Sequence, residues 1–339
     1  MDLSEFSKKR ILVVGDICLD RYVVGDVVYG SSREGEDLGT LRYLKGKQSH
    51  KDEYSPGAGG NLAQNLASLG AKVSVLGVVG EDYKAYILKR ELQKRGIDSS
   101  MLAVSDSRGT ITFEKFYDVK DQTTPIGLRA DTENEFSMGK ETEFRLIKTV
   151  ESKYKEYDAI IAIDHCEVKD RTAIITEEIL SLLASFKGQK KTFGSSRNRI
   201  SKFKNFYCLV PNDNELVRAT KTYRVSSFEE EVPFSEIEKA SKIFYKKNKP
   251  EHLLVTRGKK GAFLYDNEGM VVVLTTPLTE NIDITGCGDT FLATLTLADL
   301  SGLSKYEAVN LANIAAGIIA KKLGTTGTAT IEEILEAKR

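Results

Sequence analysis

The chain has 339 residues, 41% of them hydrophobic and 29% charged, so it is long enough to bury a large core and has the composition of a globular protein. Lysine plus arginine and aspartate plus glutamate number 49 each, which excludes a global field that attracts nucleic acid or an anionic membrane. Any anionic ligand must therefore be recognised by local groups.

The termini and cysteines narrow the class further. No apolar stretch approaches the roughly 20 residues that a membrane span needs, and the polar N-terminus MDLSEFSKKR is unlike a signal peptide, so we expect a cytoplasmic protein. The cysteines form no C-x-x-C pair and the three histidines are too scattered for a zinc cluster. This spacing predicts free thiols and argues against a structural metal at Cys18, Cys166, Cys208 and Cys287.

Short apolar runs that end in Gly, Asp or Asn recur along the chain. Continuous runs of this kind are typical of strands buried on both faces. They lie at 10–16, 71–80, 158–164, 206–212 and 252–258.

Helical patterns lie between these runs, for example at 61–70, 85–96, 171–186 and 235–248. Alternation of strands and helices predicts an α/β fold, with a mostly parallel sheet covered by helices.

Two stretches depart from this alternation, residues 21–48 and residues 110–131. Both are rich in turns and charges, with Val, Tyr, Phe and Thr in partial alternation, which favours exposed antiparallel strands. We predict one domain over residues 1–339, with these strands inserted as a small β lid. Two disordered loops are the alternative.

Polar residues follow several predicted strands, where ligands of open parallel sheets bind. Each one alone is equally well explained as turn chemistry or a helix cap. Their coincidence on one predicted edge is the stronger evidence, and they are Asp16, Asp20, Asn212, Glu215, Thr256 and Gly258.

The segment DITGCGDTF, residues 283–291, precedes an apolar helical run. Glycines let the main chain approach a ligand closely, and free N–H groups at the start of a helix attract anions such as phosphate. Asp289 at this point has two explanations. The first is a helix cap. The second is a general base, because a carboxylate aimed at a phosphate site disfavours the bound anion unless it takes part in the chemistry.

Rival nucleotide motifs are missing from the sequence. There is no G-x-x-x-x-G-K-[ST], and neither GAGGNL nor GCGDTF completes G-x-G-x-x-G. The histidines do not form H-x-G-H either. A P-loop NTPase, a nicotinamide enzyme and a nucleotidyl transferase are therefore disfavoured.

DITGCGDTF resembles the D-x-x-G-[AC]-G-D signature of the ribokinase-like (PfkB) sugar kinases. Further segments agree in order along nearly the whole chain, including GDICLD, VPNDNE and VTRGKKGAFLY. Within this family, GDICLDRY, NLASLGA and AAGIIAKKLGT are most similar to the D-glycero-D-manno-heptose 7-phosphate kinases. The resemblance implies a three-layer α/β/α sandwich with a β lid, transfer of a phosphoryl group from ATP to a sugar hydroxyl, Mg²⁺, and in many members a monovalent cation such as K⁺.

The resemblance also implies roles for residues on the acceptor side. Asp289 matches the catalytic base, and the main-chain N–H groups of Gly286, Cys287 and Gly288 match the anion hole. Asp20, Asn61 and the loop at Gly57 match sugar-binding positions.

On the nucleotide side, Asn212 and Glu215 match an N-x-x-E element that organises Mg²⁺ through water. Asp283 matches the start of the cation loop. The resemblance implies nucleotide-binding roles for the remaining matched positions, which are Thr256, Gly258, Gly261 and Asn313.

The chain departs from the heptose kinase pattern at several places. Ala58 replaces a second glycine, which narrows the expected substrate pocket, and Gly194 stands where those kinases carry an aspartate before the N-x-x-E strand. Phe113 stands where a basic residue is expected, and the segment SSREGEDLG lacks a proline-rich lid sequence. These departures concern the identity of the substrate and the organisation of the metal.

A phosphorylated sugar requires local cations, because a guanidinium matches a phosphate monoester. The candidates are Lys115, Arg129, Arg197 and Arg199, each of which is equally well explained as solvated surface charge. For His165 we favour a strand end over a substrate contact.

Two hypotheses remain from different classes. The first is an ATP-dependent kinase of a sugar phosphate, with a neutral sugar or nucleoside as the alternative acceptor. The second is a non-catalytic binding protein on the same fold, which Gly194 and Ala58 suggest and which the intact Asp289 and its glycines oppose. We also expect a homodimer formed through the lid, because exposed strand edges tend to be covered by a partner.

Overall fold

The computed structural model describes residues 3–31, 40–47, 49, 51–166, 172–225, 230–275, 283–322 and 327–338; at 29–31, 40–43 and 123–124 it describes the backbone alone. All of the lid segment SSREGEDLG except Ser31 therefore lies outside the described residues.

A nine-stranded sheet forms the centre of the molecule, in the order β14-β13-β12-β11-β10-β9-β1-β5-β6. It is parallel from β12 to β6, and β13 and β14 are antiparallel to their neighbours. Its strands are β1 (Arg10–Gly15), β5 (Lys72–Gly80), β6 (Asp98–Ser105), β9 (Ala159–Asp164), β10 (Lys191–Ser196), β11 (Cys208–Leu209), β12 (His252–Thr256), β13 (Ala262–Asp266) and β14 (Gly269–Val273).

Both faces of this sheet are covered by apolar side chains. In β1, Ile11 and Val13 belong to one buried cluster, and Leu12 and Val14 belong to the other. Because successive side chains of a strand point to opposite faces, a strand with two buried faces needs a continuous apolar run. This explains why the sequence pattern identified β1, β5, β9 and β12.

Helices cover the two faces as separate layers. The first layer contains α1 (Gly59–Ser68), α2 (Tyr83–Lys94), α7 (Cys287–Leu300), α8 (Lys305–Ala320) and α9 (Ile331–Ala337). The second contains α3 (Lys140–Lys153), α4 (Glu177–Ser185), α5 (Asp213–Thr220) and α6 (Phe234–Asn248). The predicted three-layer α/β/α sandwich is confirmed.

A second sheet, called here the small sheet, joins β3 (Thr40–Lys45), β2 (Ile17–Ser31), β7 (Thr112–Asp118) and β8 (Asp121–Asp131) in that order, and β4 (Glu53–Ala58) also pairs with β2. The central pair, β2 with β7, is parallel and not antiparallel as expected. Strands β1 and β6 run in the same direction in the large sheet, so the chain leaves both at the same edge. Strands β2 and β7 then continue side by side in one direction.

Some predicted elements have different bounds. The run at 206–212 gives only the two-residue strand β11, and α4 begins at Glu177, after the Thr176 side chain caps its first turn. Strand β10 was missed because Thr192, Ser195 and Ser196 are buried polar residues in it, so no apolar run marks it. Within the described ranges, no helix combines the length and apolar character needed to cross a membrane.

Candidate active site

The segment DITGCGDTF forms a turn and the first turn of α7. Gly286 precedes the helix with a φ of 82°, a conformation that favours glycine, and the helix begins at Cys287, two residues before Asp289. Its first intrahelical bond runs from the Thr290 N–H to the Gly286 carbonyl at 3.0 Å. The N–H groups of Gly288 and Asp289 have no acceptor within the described chain, so they are available to an anion.

The N–H group of Cys287, which the resemblance places in the anion hole, differs from those of Gly288 and Asp289 because it has an acceptor. This N–H donates to the Ile284 carbonyl at 3.2 Å, so that donor is already used within the protein. The thiol of Cys287 packs 3.5 Å from the Ala316 carbonyl on α8, and burial raises the pKa of Cys287 to about 12. The Cys287 side chain is therefore a packing group and not a thiolate nucleophile. All four cysteines are free, as predicted.

Asp289 does not cap its own helix. Its Oδ2 accepts a hydrogen bond from Asn61 Nδ2 on α1 at 2.6 Å. The Asn61 amide is oriented by Gln64, whose Nε2 donates to Asn61 Oδ1 at 2.7 Å, and the Thr290 hydroxyl bonds to Asn65 Oδ1 at 2.7 Å. These bonds fix the start of α7 against α1 and point the carboxylate away from its own helix.

The environment of Asp289 changes its ionisation. Burial raises the pKa of Asp289 to about 6, and the hydrogen bond from Asn61 and the charge of Arg197 act in the opposite direction. The side chain remains 14% exposed. A carboxylate with this pKa is ionised at neutral pH and is a stronger base than an ordinary aspartate.

His165 follows β9 and lies beside this carboxylate, with Nδ1 3.7 Å from Asp289 Oδ1. Its Nε2 lies 3.0 Å from the Ser195 hydroxyl, and burial lowers the pKa of His165 to about 3, so the ring is neutral. The sequence predicts only that His165 ends a strand, and not that it contacts Asp289. The strand-end position was the only signal for it.

Asp16 binds the backbone of the loop that follows β9 and contains His165. Its Oδ2 accepts the N–H groups of His165 and Cys166 at 2.9 and 2.8 Å. Burial and the charge of Asp164 raise the pKa of Asp16 to about 7. Asp16 therefore holds the loop after β9 in place.

The small sheet carries Asp20 together with the basic candidates Lys115 and Arg129. Asp20 is 6% exposed, and Lys115 Nζ lies 3.7 Å from its Oδ2. Lys115 is paired with Arg129 in the register of β7 and β8. Burial raises the pKa of Asp20, and the charges of Lys115, Arg129 and Arg197 oppose the rise.

The glycine loop after β4 packs tightly against Asp20. A Cβ added at Gly57 would lie 2.5 Å from Asp20 Oδ1, so only glycine leaves this carboxylate in place. Ala58 has a φ of 48°, which explains why a second glycine is usual there, since glycine adopts this conformation without strain.

The basic candidates separate into two groups. Arg129 pairs with Asp131 at 2.6 Å and stacks 4.8 Å from the Phe113 ring, and Arg197 is exposed. Arg199 is not a site residue: its guanidinium is buried and bonds to the Asp164 carboxylate and to the Ile175 carbonyl. Neither sequence interpretation of Arg199, a phosphate contact or a solvated surface charge, is correct, because this buried pair holds the ends of β9 and β10 together.

Gly194 lies inside β10 and faces the core. A Cβ there would lie 2.8 Å from Phe203 Cδ1 and 2.9 Å from Leu209 Cδ2. The position therefore has no room for an aspartate, and a carboxylate there would point into the apolar cluster.

Asn212 and Glu215 form a capping box at the start of α5. The Asn212 side chain accepts the Glu215 N–H at 2.8 Å, and Glu215 Oε2 accepts the Asn212 N–H at 2.9 Å. Burial raises the pKa of Glu215 to about 7. An isolated parallel bridge joins Asn212 to Thr256, so the start of α5 and the end of β12 lie side by side.

The turn after β12 and helix α8 complete the nucleotide-side positions. Gly258 and Gly261 have φ values of 52° and 82°, and a Cβ at Gly261 would lie 2.2 Å from the Val273 carbonyl. Asn313 is buried and donates to that same carbonyl at 3.4 Å. The Asp283 N–H donates to the Ala320 carbonyl at 2.9 Å, and its side chain accepts the Thr285 N–H.

Solved structures with this architecture identify the fold. Arabidopsis thaliana ribokinase complexed with ribose and ATP has a TM-score of 0.68 at 18% identity and covers 97% of this chain and 98% of its own. Escherichia coli phosphofructokinase-2 in complex with potassium has a TM-score of 0.72 at 16% identity and covers 98% and 100%. The fold is therefore the ribokinase-like α/β fold.

The family is defined by a direct match. The family model described as pfkB family carbohydrate kinase matches residues 20–332. The chain belongs to the pfkB family of carbohydrate kinases, and its class is a phosphotransferase with an alcohol group as acceptor.

Curated relatives are similar over nearly the whole chain. "Bifunctional protein HldE" of Gluconacetobacter diazotrophicus is 29% identical over 331 residues, which is 98% of this chain. The protein of the same name from Aliarcobacter butzleri is 30% identical over 329 residues, or 97% of this chain. In both cases the chain spans 64% of the length of the relative.

Proposed function

We propose that the chain transfers the γ-phosphoryl group of ATP to a hydroxyl of a sugar phosphate, of the D-glycero-D-manno-heptose 7-phosphate type. The observation that carries the proposal is the placement of Asp289. Asn61 holds its carboxylate in the first turn of α7, next to two main-chain N–H groups that have no acceptor among the described residues. A base and an anion-binding turn within one helical turn match the needs of phosphoryl transfer.

The chemistry divides between these groups. With a pKa near 6, Asp289 is ionised at neutral pH and accepts the proton of the attacking hydroxyl. The new O–P bond forms as the bond from the γ-phosphorus to the β–γ bridging oxygen breaks, and ADP leaves. The N–H groups of Gly288 and Asp289 stabilise charge on the transferred group. His165 is neutral, so it places no positive charge beside the Asp289 carboxylate. The basicity of that carboxylate is therefore not lowered by His165.

The residues also fit a nucleotide with Mg²⁺. Mg²⁺ prefers oxygen ligands and keeps several waters, and the carboxylate form of Glu215 at the start of α5 would bind such waters. When bound, the ion neutralises charge on the phosphates. The bridge between Asn212 and Thr256 brings this carboxylate's helix to the strand that precedes the proposed nucleotide turn at Gly258 and Gly261.

A phosphorylated acceptor is favoured over a neutral one by the cations near Asp20. Lys115 and Arg129 lie on one face of the small sheet, and Arg197 lies within electrostatic range of both Asp20 and Asp289. The similarity to the HldE proteins and to the heptose kinase segments of the sequence also supports a heptose phosphate.

We further propose that the loop at Asp283 binds a monovalent cation such as K⁺. Phosphofructokinase-2, which shares the fold, has been solved with potassium. Turnover that is equal in potassium, sodium and tetramethylammonium chloride would contradict this role.

A homodimer through the small sheet is proposed because β3, β4 and β8 form its outer edges, and strand edges are usually covered. Light scattering on the purified chain tests this. A monomer at micromolar concentration would contradict it.

ADP release against a panel of acceptors tests the proposed function. The panel contains heptose 7-phosphate, neutral hexoses and pentoses, and nucleosides, and Asp289→Asn is assayed alongside. We expect turnover on the sugar phosphate and a loss of roughly 10²- to 10⁴-fold in the variant. Preference for a neutral acceptor would replace the substrate, and absence of turnover on every acceptor would favour a binding protein.

The matched control is Glu151→Gln, which removes an exposed carboxylate from α3. It should keep wild-type kinetics. Equal activity of Asp289→Asn and wild type would overturn the base assignment.

A further inference from the structure

A cavity of about 300 Å³ opens beside His165, between the end of the large sheet and the small sheet. We call it the arginine cavity, because Arg108, Arg129 and Arg197 line it together with His165, Thr132 and Asn134. His165, which forms part of the cavity wall, also lies beside Asp289, with its Nδ1 3.7 Å from Asp289 Oδ1. A ligand in this cavity therefore reaches toward the proposed base.

Arg108 is the unusual member of this set. It lies in the loop between β6 and β7, is 7% exposed, and its Nη1 atom is buried without an acceptor in the described part of the chain. Buried arginines are rare unless paired, and an unpaired buried donor costs free energy. Such an orphaned donor in a cavity wall indicates a missing anionic partner.

The backbone at Arg108 is fixed against the large sheet. A Cβ at Gly80, the last residue of β5, would lie 2.6 Å from the Arg108 carbonyl oxygen and 2.8 Å from the Thr110 nitrogen. Thr110 is in turn held by Asp82, which accepts its N–H and its hydroxyl at 2.8 Å each. The loop therefore presents the guanidinium at a defined place.

The acidic groups of the cavity leave Arg108 Nη1 without an acceptor in the described residues. Asp131 is paired with Arg129, and Glu133 is exposed. Asp16 is within electrostatic range of Arg108, but its Oδ2 already accepts two backbone N–H groups. Burial lowers the pKa of Arg108, and the charge of Asp16 acts in the opposite direction without reversing the shift.

We propose that the arginine cavity binds a phosphate monoester carried by the acceptor, with Arg108 as its inner ligand and Arg197 at its exposed rim. A guanidinium matches the phosphate oxygens with two parallel hydrogen bonds, and Nη1 of Arg108 has no acceptor in the described part of the chain. The proposal rests on the proposed function and adds the residue that selects a phosphorylated acceptor. No local sequence pattern marks Arg108 as a site residue.

Arg108→Met tests the assignment, because methionine replaces the buried length of the side chain without its charge. We expect the KM for heptose 7-phosphate to rise on the order of 10- to 100-fold, the range for losing a charged hydrogen bond. The KM for ATP and for the same heptose without its phosphate should stay within about 3-fold. Arg145→Met, at an exposed position on α3, is the matched control and should change none of these constants.

Thermal unfolding gives a readout that separates binding from a structural role. Removing a buried donor without an acceptor takes no hydrogen bond from the fold, so the melting temperature of Arg108→Met should equal or exceed that of wild type. A lower melting temperature, a failure to fold, or an equal rise in KM for both heptoses would each overturn the proposal.

The test also separates this proposal from the proposed function. If wild type phosphorylates no sugar phosphate, the proposed function fails, and the cavity is tested by titrating the enzyme with inorganic phosphate in a calorimeter. Phosphate binding by wild type that is lost in Arg108→Met supports the cavity. Absence of phosphate binding, or preferential binding of a sugar carboxylate, overturns it.

Discussion

The Asn61 amide donates a 2.6 Å hydrogen bond to the Asp289 carboxylate across 228 positions of sequence. Gln64 holds the opposite end of that amide, so Asn61 presents Nδ2 and not Oδ1 to the carboxylate. The donor stabilises the ionised form of Asp289, and burial opposes it. The balance sets the pH range in which the proposed base is active.

This balance predicts a pH dependence. Because a base must be deprotonated, kcat/KM of wild type should fall as the pH drops through about 6, the pKa of Asp289. Asn61→Ala removes a bond that lowers this pKa, so the acidic limb should move to higher pH. The measurement is kcat/KM from pH 5 to 9 on one acceptor.

A phosphorylated acceptor also titrates near pH 6, so the position of the limb alone does not identify the enzyme group. The shift between the two enzymes does, because the substrate is the same. Asn267→Ala, in the exposed turn between β13 and β14, should leave the limb in place. An unmoved limb in Asn61→Ala would contradict the role of the hydrogen bond.

The sequence predicted the fold and the α7 turn because both depend on local patterns. Apolar runs mark strands buried on two faces, and the glycines of DITGCGDTF mark a turn that only small residues with positive φ can form. Asn61 and Asp289 were each identified as site residues, but their hydrogen bond depends on how α1 packs against α7. No local pattern contains that information.

The remaining differences come from strand register. Whether Arg199 reaches a ligand depends on the pairing of Ser196 with Asp164 between β10 and β9, which carries Arg199 to the buried carboxylate. Arg197, two residues earlier, is exposed. A run of charged residues looks the same in the sequence whichever member is buried.

Gly57→Ala should impair acceptor binding. The added methyl group would lie 2.5 Å from Asp20 Oδ1 and displace this carboxylate. We expect the KM for the acceptor to rise about 10-fold, the factor for one lost hydrogen bond of about 1.4 kcal/mol, with the KM for ATP unchanged. Gly46→Ala, where a Cβ meets nothing within 4 Å, is the control. Equal KM values in the two variants would contradict the role of the close packing.

The turn before α7 offers a control with the same backbone strain. Gly286 and Gly302 flank the helix with φ values of 82° and 81°. Alanine at either position should destabilise the fold by about 1 kcal/mol, because a side chain is strained in this region. We expect only Gly286→Ala to lose kcat, since it displaces the N–H groups of Gly288 and Asp289. A similar loss of kcat in both variants would mean that the effect comes from reduced stability. Urea unfolding measures the free energy of unfolding of each variant directly.

Substitutions of Arg199 and Arg197 should differ in their effect on the free energy of unfolding. Arg199→Met leaves the buried Asp164 carboxylate without its cation, and breaking a buried pair from one side costs about 3–5 kcal/mol in the free energy of unfolding. Arg197→Met changes an exposed side chain and should cost less than about 0.5 kcal/mol. Urea denaturation of both variants measures the difference.

A double variant, Asp164→Leu with Arg199→Met, identifies the cause of the Arg199 effect. Replacing both members of a buried pair by apolar residues removes the uncompensated charge, so the double variant should be more stable than Arg199→Met alone. A double variant that is no more stable than Arg199→Met would contradict the unpaired carboxylate as the cause.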